Sequence, residues 1–206
     1  MPIDILVTFS VAVTLLALAP GPDNLFVLTQ SALNGAKSGI WVVLGLCSGL
    51  FVHSAAVALG LAALLQTSAM AFTLIKFAGA AYLIYLAYQA FHAPVQKIGE
   101  ATPKRSAFML YRRGLIMNIT NPKVAIFFLA FFPQFTDPAN GAMIGQIATL
   151  GVIFVVMTFV VLGGIALVAG GLSERIARTP TVQLWMNRVA GLVFIGLAAK
   201  IATSEQ

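Results

Sequence analysis

Ala19-Pro20-Gly21-Pro22-Asp23-Asn24 and Asn118-Ile119-Thr120-Asn121-Pro122-Lys123 are the two stretches that decide the fold of this chain. Each lies inside a long apolar run, where an ordinary membrane-spanning helix would contain no such residues. Because proline removes a backbone donor and glycine loosens a helix, we expect both runs to form broken helices. Unpaired backbone groups are tolerated in a bilayer only where protein or a water-filled cavity surrounds them. The two breaks are therefore predicted to lie inside the molecule.

The composition indicates that lipid surrounds most of the chain. Of 206 residues, 60% are hydrophobic and 9% charged, whereas soluble domains have about 25% charged residues. The net charge of +6 could suggest a nucleic-acid partner, but the basic residues cluster between apolar runs. Such clustering is typical of the loops that set the orientation of a membrane protein. We therefore expect membrane lipids as the surroundings and no nucleic acid as a partner.

Six apolar runs are long enough to cross a bilayer, which needs roughly 20 residues per helix. They lie near residues 3–29, 38–65, 68–91, 112–135, 144–171 and 184–203. The expected fold class is an all-α membrane protein of six transmembrane helices. Helices 1 and 4 of this set are the two that are broken at proline motifs.

The basic residues predict the orientation of the chain. Short loops that are rich in Lys and Arg face the cytoplasm, and these residues lie in three of the connections: Lys37, Lys97, Lys104, Arg105, Arg112, Arg113, Arg175 and Arg178. The N- and C-termini are therefore predicted to be periplasmic. Residues 92–111, which contain Pro94, Gly99 and Pro103, are predicted to be a flexible cytoplasmic linker.

The two halves of the chain resemble each other. A shift of 100 residues places Pro22 on Pro122 and Asp23 on Lys123, and a shift of 112 places residues 76–83 on 188–195. Since each half contains an odd number of spans, the halves would be inverted-topology repeats. We expect the first three-helix repeat at residues 1–91 and the second at 112–206. The alternative is a chance resemblance between glycine-rich apolar helices.

Asp23 and Lys123 are the leading candidates for a binding site. A charge near the middle of a bilayer costs at least about 2.5–3.5 kcal/mol, so two residues of opposite sign are expected to pair or to share a hydrated cavity. A zwitterionic amino acid could replace that pairing, with its carboxylate on Lys123 and its ammonium on Asp23. The alternative is that Asp23 only caps its helix and that Lys123 extends to the membrane interface.

The remaining candidate residues surround the two breaks. They either line the cavity or satisfy freed backbone groups: Gly21, Pro22, Asn24, Asn118, Asn121 and Pro122. His53 is a candidate proton relay, or a histidine that only makes a structural hydrogen bond. The Gly45-x-x-x-Gly49 motif predicts close helix packing, either within the chain or in a homodimer. No pattern indicates a metal site or a cofactor.

The motifs at the breaks also carry a resemblance. With Pro20-Gly21-Pro22-Asp23-Asn24, Asn121-Pro122-Lys123 and Phe132-Pro133-Gln134-Phe135, the chain resembles the lysine exporter superfamily, and within it the homoserine/threonine exporter branch. The resemblance implies a proton-driven secondary exporter in the bacterial inner membrane. Its substrates would be amino acids or close derivatives, such as homoserine, threonine, homoserine lactone, leucine or basic amino acids.

Other classes of function are less favoured by the residues. A passive channel or a scaffold subunit is the main alternative. An intramembrane enzyme acting on lipids would need a metal or an acid/base cluster, and the chain has only two histidines and six carboxylates. The sequence contains no Walker-type phosphate loop, which disfavours a primary pump. We therefore expect a transporter and not an enzyme.

Overall fold

The computed structural model describes residues 1–19, 21–65, 69–93, 105–171 and 180–203, and within these ranges it contains helices and no strand. The described residues form eight α-helices: α1 Ile3–Leu18, α2 Pro22–Asn34, α3 Ala36–Leu65, α4 Ala69–His92, α5 Ala107–Ile119, α6 Pro122–Phe131, α7 Met143–Gly171 and α8 Pro180–Thr203. Two short 3-10 turns, Phe132–Phe135 and Pro138–Asn140, connect α6 to α7. The predicted all-α class is confirmed.

Both helix breaks lie at the proline motifs. Helices α1 and α2 meet at an angle of 62°, and α5 and α6 meet at 51°. Pro22 and Pro122 each begin the second helix of the pair, where the missing N–H would have had no intrahelical partner. The residues before them, Gly21 and Asn121, have extended backbones, as the ring of a following proline favours.

Two helices, α3 and α7, are each long and apolar enough to cross a bilayer. The number rises to four if each bent pair, α1 with α2 and α5 with α6, is one span. Helices α4 and α8 have 24 residues each. The described helices therefore establish a multi-span membrane protein, and the predicted total of six spans stays a prediction.

Two predicted connections are shorter than the sequence pattern indicates. Helix α5 begins at Ala107, inside the predicted linker, because the Ser106 side chain accepts a hydrogen bond from the Met109 amide and caps the helix. Helix α8 begins at Pro180, inside the predicted loop 172–183. Most of the predicted linker, residues 94–104, and the loop residues 172–179 lie outside the described residues.

The long helix α3 is central to the packing. It contacts α2, α5 and α7, while α4 packs against α8 and α1 packs against α7. The α3–α5 crossing is close because a side chain on Gly45 would collide with the Tyr111 carbonyl, and one on Gly114 would collide with the Val42 carbonyl. On the next turn of α3, Gly49 faces the side chain of Asn118. The Gly45-x-x-x-Gly49 motif therefore serves packing within the chain.

A phenylalanine cluster fills the interior between α1, α6, the first 3-10 turn and α7. Neighbouring ring centroids are 4.3–6.4 Å apart, and the cluster consists of Phe9, Phe127, Phe128, Phe131, Phe132, Phe135 and Phe154. All seven side chains are buried. The phenylalanine cluster lies on the side of the breaks where α1 begins and α6 ends.

The close contact between α3 and α5 can be tested by adding one methyl group at Gly45. We expect Gly45→Ala to lower the Tm of the detergent-solubilised protein by roughly 4–8 °C, because overpacking costs about 2 kcal/mol and 1 kcal/mol moves Tm by about 2–4 °C at this chain length. Gly60→Ala is the control in the same helix, since a Cβ there meets no atom within 4 Å. Equal Tm values for the two variants would contradict the close contact between α3 and α5 at Gly45.

Candidate functional site

A cavity of about 430 Å³ lies between the two helix breaks. Six of the residues that the sequence nominated line it: Gly21, Pro22, Asn24, Asn121, Pro122 and Lys123. Further described residues from α2, from α4 and the position directly after it, and from α7 and α8 also line the cavity: Leu25, Leu28, Tyr82, Leu86, Gln89, Ala90, Ala93, Ile165, Asn187 and Phe194. The two proline motifs, about a hundred residues apart in sequence, therefore share one space.

Lys123 provides the positive charge of the cavity. It occupies the second position of α6, and its side chain is half-buried. A Cβ at Gly21 would lie 3.0 Å from Lys123 Nζ, so the absence of a side chain at Gly21 makes room for the ammonium group. The Nζ atom also lies 6.0 Å from the centroid of the Phe194 ring. The ammonium group is thus held at the cavity wall, which disagrees with the alternative that Lys123 extends to the membrane interface.

Asp23 lies behind the cavity wall. Its side chain is only 7% exposed, and its Oδ2 atom accepts a hydrogen bond of 2.8 Å from Asn121 Nδ2. Its Oδ1 atom is buried and has no hydrogen-bond partner. Asp23 is absent from the described cavity lining and makes no capping bond to α2, whose N-cap is Gly21. The carboxylate therefore faces Asn121 and not the space that a substrate could fill.

Asn121 bridges the two halves of the site. Its Oδ1 atom accepts a hydrogen bond of 3.0 Å from the Lys123 amide and so caps α6. Its Nδ2 atom donates to Asp23. One amide group thus holds the first turn of α6 to the first turn of α2. The opposite charges of Asp23 and Lys123 are brought close to each other through this amide, without a direct ion pair between them.

Asn24 satisfies a free backbone carbonyl at the first break. Its Nδ2 atom donates a hydrogen bond of 2.7 Å to the carbonyl of Ala17, in the last turn of α1. A broken helix leaves such carbonyls without an intrahelical partner, and one that stays unpaired in a bilayer costs several kcal/mol. Asn24 therefore both lines the cavity and stabilises the break that shapes it.

Asn118 and His53 lie together on another side of the second break. The Asn118 carbonyl accepts a hydrogen bond of 3.1 Å from the Asn121 amide and is 3.1 Å from His53 Nε2. The His53 ring stacks on Phe128, and Asn118 Oδ1 is buried without a partner. Neither residue is among the described lining of the cavity. A proton-relay role for His53 stays a prediction.

The sequence did not identify α4 and α8 as helices that line the cavity. Tyr82 and Phe194, which both line the cavity, occupy matching positions when the halves are shifted by 112 residues, and this match could have identified them. Asn187 lies one residue before the matched segment. It is buried, and its Nδ2 atom donates a hydrogen bond of 3.2 Å to the Ala93 carbonyl. No sequence pattern pointed to Asn187 or to Gln89.

Comparisons with known proteins agree with this picture of a membrane transporter. A protein of Vibrio cholerae described as an uncharacterized membrane protein is 32% identical over the full length of both chains. The homoserine/homoserine lactone efflux protein of Salmonella typhimurium is 33% identical and covers 93% of each chain. The leucine efflux protein of Salmonella choleraesuis is 31% identical and covers 96% of this chain and 94% of its own. No solved structure matches the chain.

The family comparison covers both helix breaks, the C-terminal end of α1 and every described element that follows it. The sequence model of the LysE type translocators matches residues 14–205. Members of this family and the named efflux relatives are transporters and not enzymes. This chain therefore belongs to the family of LysE type translocators.

Proposed function

We propose that this protein is a secondary exporter that moves amino acids or close derivatives out across the bacterial inner membrane in exchange for protons. One observation carries the proposal: a cavity between the two broken helices exposes the Lys123 ammonium, while the Asp23 carboxylate is held behind one amide, outside the described lining. Broken helices at matching positions of two halves are where transporters bind substrates and coupling ions. The names of the homoserine and leucine efflux relatives support amino acids as the substrates.

The transport cycle that we propose is alternating access by two inverted repeats, residues 1–91 and 112–206. The helix contacts support it, because equivalent helices pack against each other across the halves: α3 against α7 and α4 against α8. The first helix of each half also packs against the long helix of the other half, α1 against α7 and α5 against α3. A two-fold relation between the halves would produce this exchange of partners.

The cavity extends toward one side of the molecule. The lining runs from Tyr82 in α4 to Ala93, directly after this helix, and from Gly21, the N-cap of α2, to Leu28. Both directions lead toward Lys37 and the basic linker, which the charge pattern assigns to the cytoplasm. The phenylalanine cluster fills the opposite side. These features support a cytoplasm-facing state, in which an exporter takes up its substrate.

The site provides distinct groups for substrate and proton. A substrate carboxylate would bind the Lys123 ammonium, assisted by the positive end of the α6 dipole. Asp23 Oδ1, buried and without a partner, is the atom that would take up the proton. Charge-assisted hydrogen bonds are stronger than neutral ones, so protonation of Asp23 weakens its bond to Asn121. We infer that Asn121 transmits this change to α6 and hence to Lys123.

Uphill transport in proteoliposomes tests the proposed function. With a pH gradient imposed across the membrane, we expect leucine or homoserine to accumulate against its concentration gradient in vesicles that contain the purified protein. A protonophore should abolish the accumulation. Movement that only equilibrates the substrate would indicate a passive channel, and no movement of any amino acid in the panel would contradict the exporter.

Asp23→Asn tests the proton site. The side chain keeps its size while losing the ionisable group, so we expect a folded protein whose proton-driven export falls by roughly 100-fold, the lower end of the effect of removing a proton-transferring group. Asp4→Asn is the control, because Asp4 is exposed at the start of α1. Wild-type export by the Asp23 variant would rule out its coupling role.

Asn121→Ser separates the two hydrogen bonds of the bridging amide. Serine is a good N-cap, so it preserves the start of α6, but it is too short to reach Asp23. We expect exchange of labelled for unlabelled substrate to persist within about threefold, while uphill, proton-driven export is lost. Measuring both activities in the same vesicles checks this, and coupled export at the wild-type level would show that the bridge is not needed.

A further inference from the structure

We infer that the cavity selects amino acids with a free carboxylate and an uncharged side chain, and that Tyr82, Leu86 and Phe194 form the wall that receives this side chain. The inference rests on the proposed export function and narrows its substrates to one chemical class. It excludes the basic amino acids, which the sequence left open, and also the acidic ones.

The charges around the cavity favour a substrate carboxylate and disfavour a charged substrate side chain. Among the described residues that line it, Lys123 is the one charged side chain. The Asp23 carboxylate is buried behind the cavity wall, where it accepts a hydrogen bond from Asn121, and it is not part of the described lining. A substrate carboxylate therefore finds a cation to bind. Since every amino acid carries the same α-ammonium, the discrimination depends on the side chain. The side-chain ammonium of a lysine would find no carboxylate in the described wall, and a second carboxylate on the substrate would find no second cation.

An apolar surface lies next to Lys123 in the cavity. The Phe194 side chain is buried, and its ring centroid lies 6.0 Å from Lys123 Nζ. Leu86, on the facing helix α4, is also buried at the cavity wall. An amino acid whose carboxylate binds Lys123 would therefore place its side chain against this apolar surface. Transferring a charged side chain to such a surface is unfavourable unless a partner neutralises it.

Neutral polar groups of the cavity lining can bind a hydroxyl group on the substrate side chain. The Tyr82 side chain and the amides of Gln89 and Asn187 also line the cavity. They can exchange hydrogen bonds with a hydroxyl group, as in homoserine or threonine, without requiring a charge. The volume of about 430 Å³ is within the usual range for small-molecule sites, roughly 300–1,000 Å³. Both aliphatic and hydroxylated side chains are therefore accepted, and the charged ones are rejected.

Selectivity of the wild-type protein gives the first test. Proteoliposomes with an imposed pH gradient would be offered labelled leucine, homoserine, lysine and glutamate in turn, and leucine methyl ester as a competitor. We expect leucine or homoserine to be exported at least tenfold faster than lysine and glutamate, and the ester to compete at least tenfold less well than leucine. Equal export of lysine or glutamate, or full competition by the ester, would overturn the inference.

A single substitution gives the second test. Leu86→Glu places a carboxylate on the apolar wall, and we expect it to raise the rate of lysine export relative to leucine export by at least tenfold. Leu86→Gln is the matched control, since it has the same size and no charge, and should leave lysine excluded. Leu28→Glu, on the α2 side of the cavity, repeats the test if the first variant does not yield a monodisperse protein.

The outcomes separate this inference from the proposed function. If the wild-type protein exports none of the amino acids, the exporter itself is wrong. If it exports lysine or glutamate as well as it exports leucine, the exporter stands and the selectivity is wrong. If both glutamate variants fold and neither one gains lysine export, the wall formed by Tyr82, Leu86 and Phe194 does not receive the substrate side chain.

Discussion

Every backbone group freed by a broken helix must find a partner inside the protein, because the bilayer offers none. This constraint organises the site. Asn24 pairs with the Ala17 carbonyl at the first break, and Asn121 caps α6 at the second. Both asparagines also line the cavity. The residues that make the breaks tolerable are thus among the residues that give the cavity its polar surface, so stability and binding depend on the same side chains.

The same constraint explains why the two breaks lie together. Each break is polar, and each is stabilised by protein around it and not by lipid. The hydrogen bond between Asn121 and Asp23 connects the two breaks directly. It joins the first turn of α2 to the first turn of α6, so a displacement of one broken helix changes the surroundings of the other. This bond is the contact through which we propose that a proton at Asp23 affects a substrate at Lys123.

Local chemistry made part of this structure predictable from the sequence. Proline and glycine dictate the breaks at Pro22 and Pro122 whatever surrounds them, and apolar runs dictate the helices. The orientation of Asp23 was not predictable, because it depends on which amide lies opposite it after the helices pack. The expectation that Asp23 would meet the substrate ammonium rested on charge alone. Asn118 likewise lies away from the cavity because the α3–α5 crossing directs its side chain toward Gly49.

The differences between the two halves are as informative as their similarity. Matching positions hold Asp23 in one half and Lys123 in the other, so the proposed repeat provides one anionic and one cationic group at equivalent breaks. Only the second break has an asparagine directly before its proline; the first has Gly21, and the Lys123 ammonium occupies the space that this glycine leaves. A symmetric pair of asparagines would have filled that space. The asymmetry therefore lets one charge face the cavity while the other is held behind it, a division of roles that two identical halves could not provide.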